Sequence, residues 1–127
     1  AGDLARARAT ADEAAALVRQ RHIPVQEVAV LLARARVLLA ADGASAASEI
    51  DTDLHSATSV VEATEARAYL PFIHEERANL CRALGNTVAA NRELRAAHRL
   101  FVEIGAAGHA ERLSRQLSAL SPQPEEQ

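Results

Sequence analysis

The chain has 127 residues, of which 49% are hydrophobic and only 2% aromatic, so one helical core built from Ala, Leu and Val fits its length and composition. Its net charge of −3, with Arg as the only strongly basic residue, leaves no basic surplus for binding phosphates, which disfavours nucleic acid as a partner. The single Cys81 excludes an intramolecular disulfide, which agrees with a reducing cytoplasm, and no run approaches the ~20 apolar residues that a membrane span needs.

The first half of the chain predicts three helices. Apolar residues recur at helical spacing over about residues 3–20, with Asp3 as the expected N-cap. Pro24 suits the first position of a second helix, which the Asp42-Gly43 pair ends. A third helix is expected over roughly residues 45–65. The inward stripes are Leu4, Ala7, Ala11, Ala14 and Val18, then Val25, Val28, Leu32, Ala35 and Leu39, then Ile50, Leu54, Ala57, Val61 and Thr64.

The second half predicts three more helices. Pro71 opens the fourth, and Gly85 ends it. Asn86 is the expected N-cap of the fifth, and Gly105 and Gly108 bracket the turn before the sixth. The inward stripes are Ile73, Leu80 and Leu84, then Ala90, Leu94, Ala97, Phe101 and Ile104, then Ala110, Leu113, Leu117 and Leu120.

Short turns between the predicted helices indicate antiparallel hairpins. Gly43 and Gly85 each close a helix, which indicates a weak repeat of a two-helix unit. The predicted fold class is therefore all-α, with about six helices in hairpins stacked as a short right-handed solenoid over residues 1–120. Residues 121–127, SPQPEEQ, hold too few apolar groups to fold and are expected to be disordered.

The stretch over residues 71–106 resembles a tetratricopeptide repeat. Its small and apolar residues stand where the family has them, so that paired helices close on one another around a turn. These positions are Ala78, Gly85, Ala90, Leu94 and Ala97. The stretch departs from the family pattern at His74, Arg77 and Cys81, where the family has large apolar or aromatic residues. The resemblance implies a tetratricopeptide-like solenoid.

Residues 93–117, ELRAAHRLFVEIGAAGHAERLSRQL, resemble the C-terminal region of large bacterial signalling ATPases, the LuxR-type and nucleotide-cyclase-linked regulators. Those regions are degenerate tetratricopeptide-like arrays. The resemblance implies a cytoplasmic scaffold that binds partners and regulates a neighbouring output domain. The phosphate-binding loop of those proteins needs a lysine, and this chain has none, so no nucleotide cofactor is expected.

No residue pattern indicates an enzyme or a metal site. The run that starts at His74 begins like a zinc-protease helix, but Ala78 occupies the position of the second histidine. The five histidines show no ligand-like pairing, and zinc needs three or four convergent ligands. Cys81 is interpreted as a small buried hydrophobe, although Arg77 and Arg82 nearby keep a redox role open. We expect no catalytic residue, no cofactor and no metal.

Two sets of polar residues are candidates for partner binding. Arg92, Arg95 and Arg99 stand at i, i+3 and i+7, which puts three guanidinium groups on one side of the fifth helix, where they can bind acidic segments. A solvated face without a ligand is the plainer interpretation. If a groove between stacked hairpins is used instead, the candidate residues are Arg34, His74, Arg77 and Asn79.

The sequence thus predicts a protein–protein interaction module, or regulatory scaffold, of a larger bacterial signalling or transcription-regulatory protein. The alternatives are a small-ligand sensor with an apolar pocket between helices and, less favoured, a nucleic-acid-associated helical domain. The expected partner is another protein or other domains of the parent chain, and the pairing of two copies as a homodimer stays open.

Overall fold

Stretches rich in Ala, Leu, Glu and Arg, which lose little side-chain freedom in a helix, form helices along most of the chain. The computed structural model describes residues 2–21 and 24–120. The helices are α1 (Gly2–Arg21), α2 (Pro24–Asp42), α3 (Ala47–Thr64), α4 (Leu70–Ala83), α5 (Thr87–Glu103) and α6 (Ala107–Leu120), with 3₁₀ turns at Gly43–Ala46 and Arg67–Tyr69. Because these two ranges contain no strand, the predicted all-α class is confirmed.

The helix ends follow the predicted turn residues with two differences. α1 begins at Gly2, so Asp3 lies in its first turn and the predicted N-cap at Asp3 is wrong. α3 begins at Ala47, because Gly43 takes a left-handed φ of 59° and opens a 3₁₀ turn first.

Asn86 caps α5 as its sequence position predicts. Its side-chain Oδ1 accepts a hydrogen bond from the backbone N–H of Ala89 at 3.1 Å. Asn86→Ala is expected to lower the free energy of unfolding by about 1 kcal/mol, because a first-turn amide loses its acceptor. Urea unfolding followed by circular dichroism measures the loss. Asn86→Ser keeps an acceptor and should stay close to the native chain; equal losses in the two variants would contradict the cap.

The core forms two clusters that meet at α4. The N-terminal cluster joins α2, α3 and α4, and the C-terminal cluster joins α4, α5 and α6. The largest buried members of the first are Leu31, Leu38, Ile50, Leu54 and Ile73, and those of the second are Leu94, Phe101 and Leu113. α4 is therefore the element that connects the two halves.

Several residues that were predicted to face inward are exposed. Leu84 is 54% exposed and Ile104 is 48% exposed, so both predictions are wrong. Each is a C-cap residue, and the chain turns away through Gly85 and Gly105, with φ of 81° and 80°, before either side chain reaches a neighbouring helix. Leu4, at the start of α1, is also exposed.

The stripe predicted for α1 is only partly covered. Of its members Val18 is buried, whereas Ala7, Ala11 and Ala14 are half-buried; Ala15, which is outside the predicted stripe, is also buried. Part of the apolar face of α1 is therefore not buried by the described residues.

Each helix packs chiefly against its neighbour in the chain, and α2 also contacts α4. The short connections reverse the chain direction from one helix to the next. None of the described helices is both long and apolar enough to cross a lipid bilayer. The tail at residues 121–127, predicted to be disordered, lies outside the described residues.

Candidate functional site

The outer face of α5 carries one continuous stripe of exposed side chains. At 100° per residue, its members fall within an arc of about 80°, on the side opposite the buried Leu94 and Phe101. We call it the α5 stripe; it consists of Val88, Arg92, Arg95, Arg99 and Val102, all of them exposed.

The α5 stripe combines a basic centre with apolar ends. Three arginines stand between Val88, which is 71% exposed, and Val102, which is 57% exposed. The two valines lie ~21 Å apart along the helix axis, from the 1.5 Å rise per residue. Valine has a lower helix propensity than Ala, Glu or Lys, so exposed valines at both ends give α5 no folding advantage. A surface of this kind can hold an acidic segment whose ends are apolar.

The sequence identified the arginines of the α5 stripe but not its valines. The helical spacing that joins Arg92, Arg95 and Arg99 also places Val88 one turn before them and Val102 one turn after them. A helical projection would have found both valines, since the inward stripe of α5 lies on the opposite side.

Arg34 lines an open pocket of about 360 Å³ between α1, α2 and α3, and it is also the centre of an ion-pair network. Its Nη1 donates to Asp53 at 2.6 Å, its Nε donates to Asp12 at 2.6 Å, and its Nη2 donates to Glu49 at 3.1 Å. Arg8 donates to the same Glu49 at 3.0 Å. These contacts join α1, α2 and α3. The arginine network consists of Arg8, Asp12, Arg34, Asp42, Glu49 and Asp53.

The environment of the arginine network shifts two pKa values. Burial raises the pKa of Asp53 above its usual value, against the hydrogen bond and charge of Arg34, because the carboxyl is only 2% exposed. Burial alone would lower the pKa of Arg34, but its hydrogen bonds to Asp12 and Asp53 outweigh burial and raise that pKa. All three nitrogens of the Arg34 guanidinium thus donate hydrogen bonds that hold α1, α2 and α3 together.

The raised pKa of Asp53 predicts an unusual pH dependence. Above pH 3.8, the usual pKa of the group, the unfolded chain releases a proton that the folded chain still holds, so the contribution of Asp53 to stability falls as the pH rises through the folded-state pKa. Asp53→Asn lacks this ionisation. The free energy of unfolding of the native chain, minus that of Asp53→Asn, should therefore decrease from pH 4 to pH 7 in urea titrations. A difference that grows with pH would show that the ion pair to Arg34 outweighs burial.

The three candidate residues on α4 contact different neighbours. His74 Nδ1 lies 2.7 Å from Glu93 Oε1 on α5, whereas Arg77 Nη1 lies 3.7 Å from Asp51 Oδ1 on α3. Asn79 donates to Glu76 of its own helix at 3.3 Å. Like Arg34, His74 and Arg77 thus form contacts between helices, whereas the contact of Asn79 lies within α4.

Cys81 is half-buried on α4. Burial raises the pKa of its thiol, the charge of Glu93 adds to this, and Arg77 and Arg92 only partly oppose it. Because the thiolate is the nucleophile, a raised pKa makes this thiol less reactive near neutral pH. The predicted full burial of Cys81 is not observed, since the residue is only half-buried and belongs to neither described core cluster.

An aromatic cluster fastens α6 to the rest of the fold. The ring of Phe101 stacks on His109 at 4.8 Å between centroids, and Phe72 meets both rings edge-on at 5.1 Å. Next to it, Arg112 forms a bidentate ion pair with Glu75 of α4. These contacts hold α4, α5 and α6 together, so the α5 stripe lies on a helix that is fixed by both of its neighbours.

Comparison with known proteins identifies no relative, since neither a family model, nor a curated protein, nor a solved structure matches this chain significantly.

Proposed function

We propose that this chain is a protein-recognition module whose binding surface is the α5 stripe. Its partner is an acidic protein segment, with carboxylates that pair with the three arginines and apolar side chains that cover Val88 and Val102. The observation that carries this proposal is the position of two strongly exposed valines at the ends of an arginine row, on a side of α5 that belongs to neither described core cluster.

The proposed architecture is a short tetratricopeptide-like stack of antiparallel hairpins. Residues that the resemblance assigns to hairpin closure support it: Ala78, Ala90 and Ala97 are buried, and Leu94 is fully buried between the paired helices. Gly85 adopts the left-handed φ of 81° that the turn between α4 and α5 requires.

The wider role that we propose is that of an interaction and regulatory scaffold in a larger bacterial signalling protein of the cytoplasm. It rests on the resemblance of residues 93–117 to the C-terminal arrays of such regulators. Three of the five residues of the α5 stripe, Arg95, Arg99 and Val102, lie within this part of the chain, so the proposed binding surface overlaps the region of resemblance.

Nucleic acid is a less favoured partner for the same surface. A phosphate backbone would engage the arginines, but it would leave Val88 and Val102 without apolar contacts. The net charge of −3 also opposes a polyanion, since binding would bring it close to the acidic residues of the chain.

A capture experiment tests the proposal. Three forms of the protein are immobilised, and each is incubated with a nuclease-treated lysate of the source organism. They are the native chain, a stripe variant and a control variant with the same change in charge. The stripe variant carries Arg92→Glu, Arg95→Glu and Arg99→Glu, and the control variant carries Arg67→Glu, Arg82→Glu and Arg115→Glu, three exposed arginines elsewhere.

We expect a protein that the native chain and the control variant capture and the stripe variant loses. After purification of that protein, Val88→Ser with Val102→Ser should weaken its binding, whereas binding of a nucleic acid would be unaffected by this pair of changes. A captured set that is the same for all three forms, each with native helicity by circular dichroism, would contradict the proposal.

A further inference from the structure

A second surface, on the N-terminal half of the molecule, is apolar and is left uncovered by the described residues. An open groove of about 500 Å³ runs between α1 and α2. We call it the α1–α2 groove; its walls are Ala7, Thr10, Ala11 and Ala14 of α1 and Val30, Ala33 and Val37 of α2, with Asp3 and Arg6 at one end. Leu17, which is 47% exposed, continues the same face of α1 by helical spacing from Thr10 and Ala14.

The residues of the groove have the helical spacing of a buried face, yet the described residues bury them only in part. Ala7, Ala11 and Ala14 belong to the apolar stripe that predicts burial, and Val30 and Val37 are likewise only half-buried. Alanine walls let a second helix approach closely, so the groove accepts a helix more readily than an extended segment.

The charges beside the groove identify which helix fits it. Arg6, four residues before Thr10, lines the groove, whereas Glu13, three residues after Thr10, lies outside that lining, about 20° from Arg6 around the axis of α1. Both are exposed, and neither forms an ion pair with any residue whose side chain the structure describes. They are too far apart on α1, ~10 Å along the axis, to pair with each other.

In two antiparallel helices related by a twofold axis near Thr10, Arg6 of each copy faces Glu13 of the other. The same arrangement brings the alanines of one α1 over the groove of the other copy, and both Leu17 side chains lose solvent exposure. A helix of the same sequence and opposite direction is therefore complementary to this face both in shape and in charge.

We propose that two copies of this chain associate through the α1–α2 groove, with their α1 helices antiparallel about a twofold axis near Thr10. Two helices of 20 and 19 residues, about 30 Å long and about 10 Å apart, offer a face of about 600 Å² per copy. That area is at the low end for specific interfaces, so the dimer dissociates on dilution.

Sedimentation velocity over a range of concentrations tests the interface on the whole chain. We expect the native protein to pass from one copy of 13.5 kDa to twice that mass as its concentration rises. Arg6→Glu and Glu13→Arg should each weaken the dimer about tenfold or more, since each brings like charges together twice across the axis.

A mixture of the two charge variants gives the decisive result. Arg6→Glu is acidic at both position 6 and position 13, and Glu13→Arg is basic at both, so an equimolar mixture should recover a heterodimer that neither variant forms with itself. Only an interface that joins position 6 to position 13 of the other copy behaves in this way.

A matched pair of substitutions on α1 locates the groove itself. Ala14→Arg fills the groove and should give a monomer, whereas Ala16→Arg, on an exposed side of α1 away from the groove, should leave the dimer intact. Native helicity in both variants separates loss of the interface from loss of the fold. A native chain that stays at 13.5 kDa at every concentration, or a mixture of charge variants that fails to recover a dimer, would overturn the proposal.

Discussion

Replacing Arg34 by methionine is expected to lower the free energy of unfolding by about 3 kcal/mol at pH 7, because it leaves the buried carboxylate of Asp53 without its charged partner. The substitution also removes the hydrogen bonds that tie Asp12 of α1 and Glu49 of α3 to α2. Urea unfolding followed by circular dichroism measures the loss. Arg115→Met removes an arginine whose side chain is 72% exposed, and it should change stability little.

The double variant Arg34→Met with Asp53→Leu distinguishes the two contributions to this loss. With both charges removed, no buried carboxylate stays unpaired, and much of the lost stability should return. If Arg34→Met were no less stable than Arg115→Met, Asp53 would have to be reached by water in the folded chain, and the arginine network would be a surface feature.

Replacing Phe101 by alanine is expected to cost about 3–5 kcal/mol, because its fully buried ring would leave a cavity in the C-terminal cluster. The ring also stacks on His109 and meets Phe72 edge-on, so its loss removes the aromatic contacts that hold α6. Amide hydrogen exchange should show the largest increase in α6, and urea unfolding should give the total loss.

Two matched substitutions test the assignment of this cost to the cavity. Phe101→Leu keeps most of the apolar volume and should cost less than Phe101→Ala. Val102→Ala alters the next residue, which is 57% exposed, and should change the stability little. A similar loss in Phe101→Leu and Phe101→Ala would assign the effect to the aromatic contacts rather than to the cavity.

Local periodicity was sufficient to predict the helices and most of the buried face of α5. It failed where a helix ends, since Leu84 and Ile104 continue the apolar period beyond the last turn that packs on a neighbour. Periodicity describes which face of a helix is apolar, but it contains no information on how far along the chain that face is covered.

The candidate site residues were harder to place from the sequence. Arg34 was expected in a groove, and it does line an open pocket, but its ion pairs with residues 22, 15 and 19 positions away could not be predicted, because only tertiary packing brings these residues together. The arginines of the α5 stripe are separated by single helical turns, so their common face follows from the sequence alone. The binding of a partner by the α5 stripe stays a prediction, because it depends on the charges and apolar residues of another molecule.

The packing of each helix on its chain neighbour has a consequence for how the protein folds. Contacts that are mostly local in sequence need only short loops to close, which favours folding on a fast timescale. During synthesis, α2 and α3 can form their hairpin before α5 has left the ribosome, while α6 has to wait for α4 and α5 to be in place. The order of the helices in the chain is thus also the order in which the fold is able to assemble.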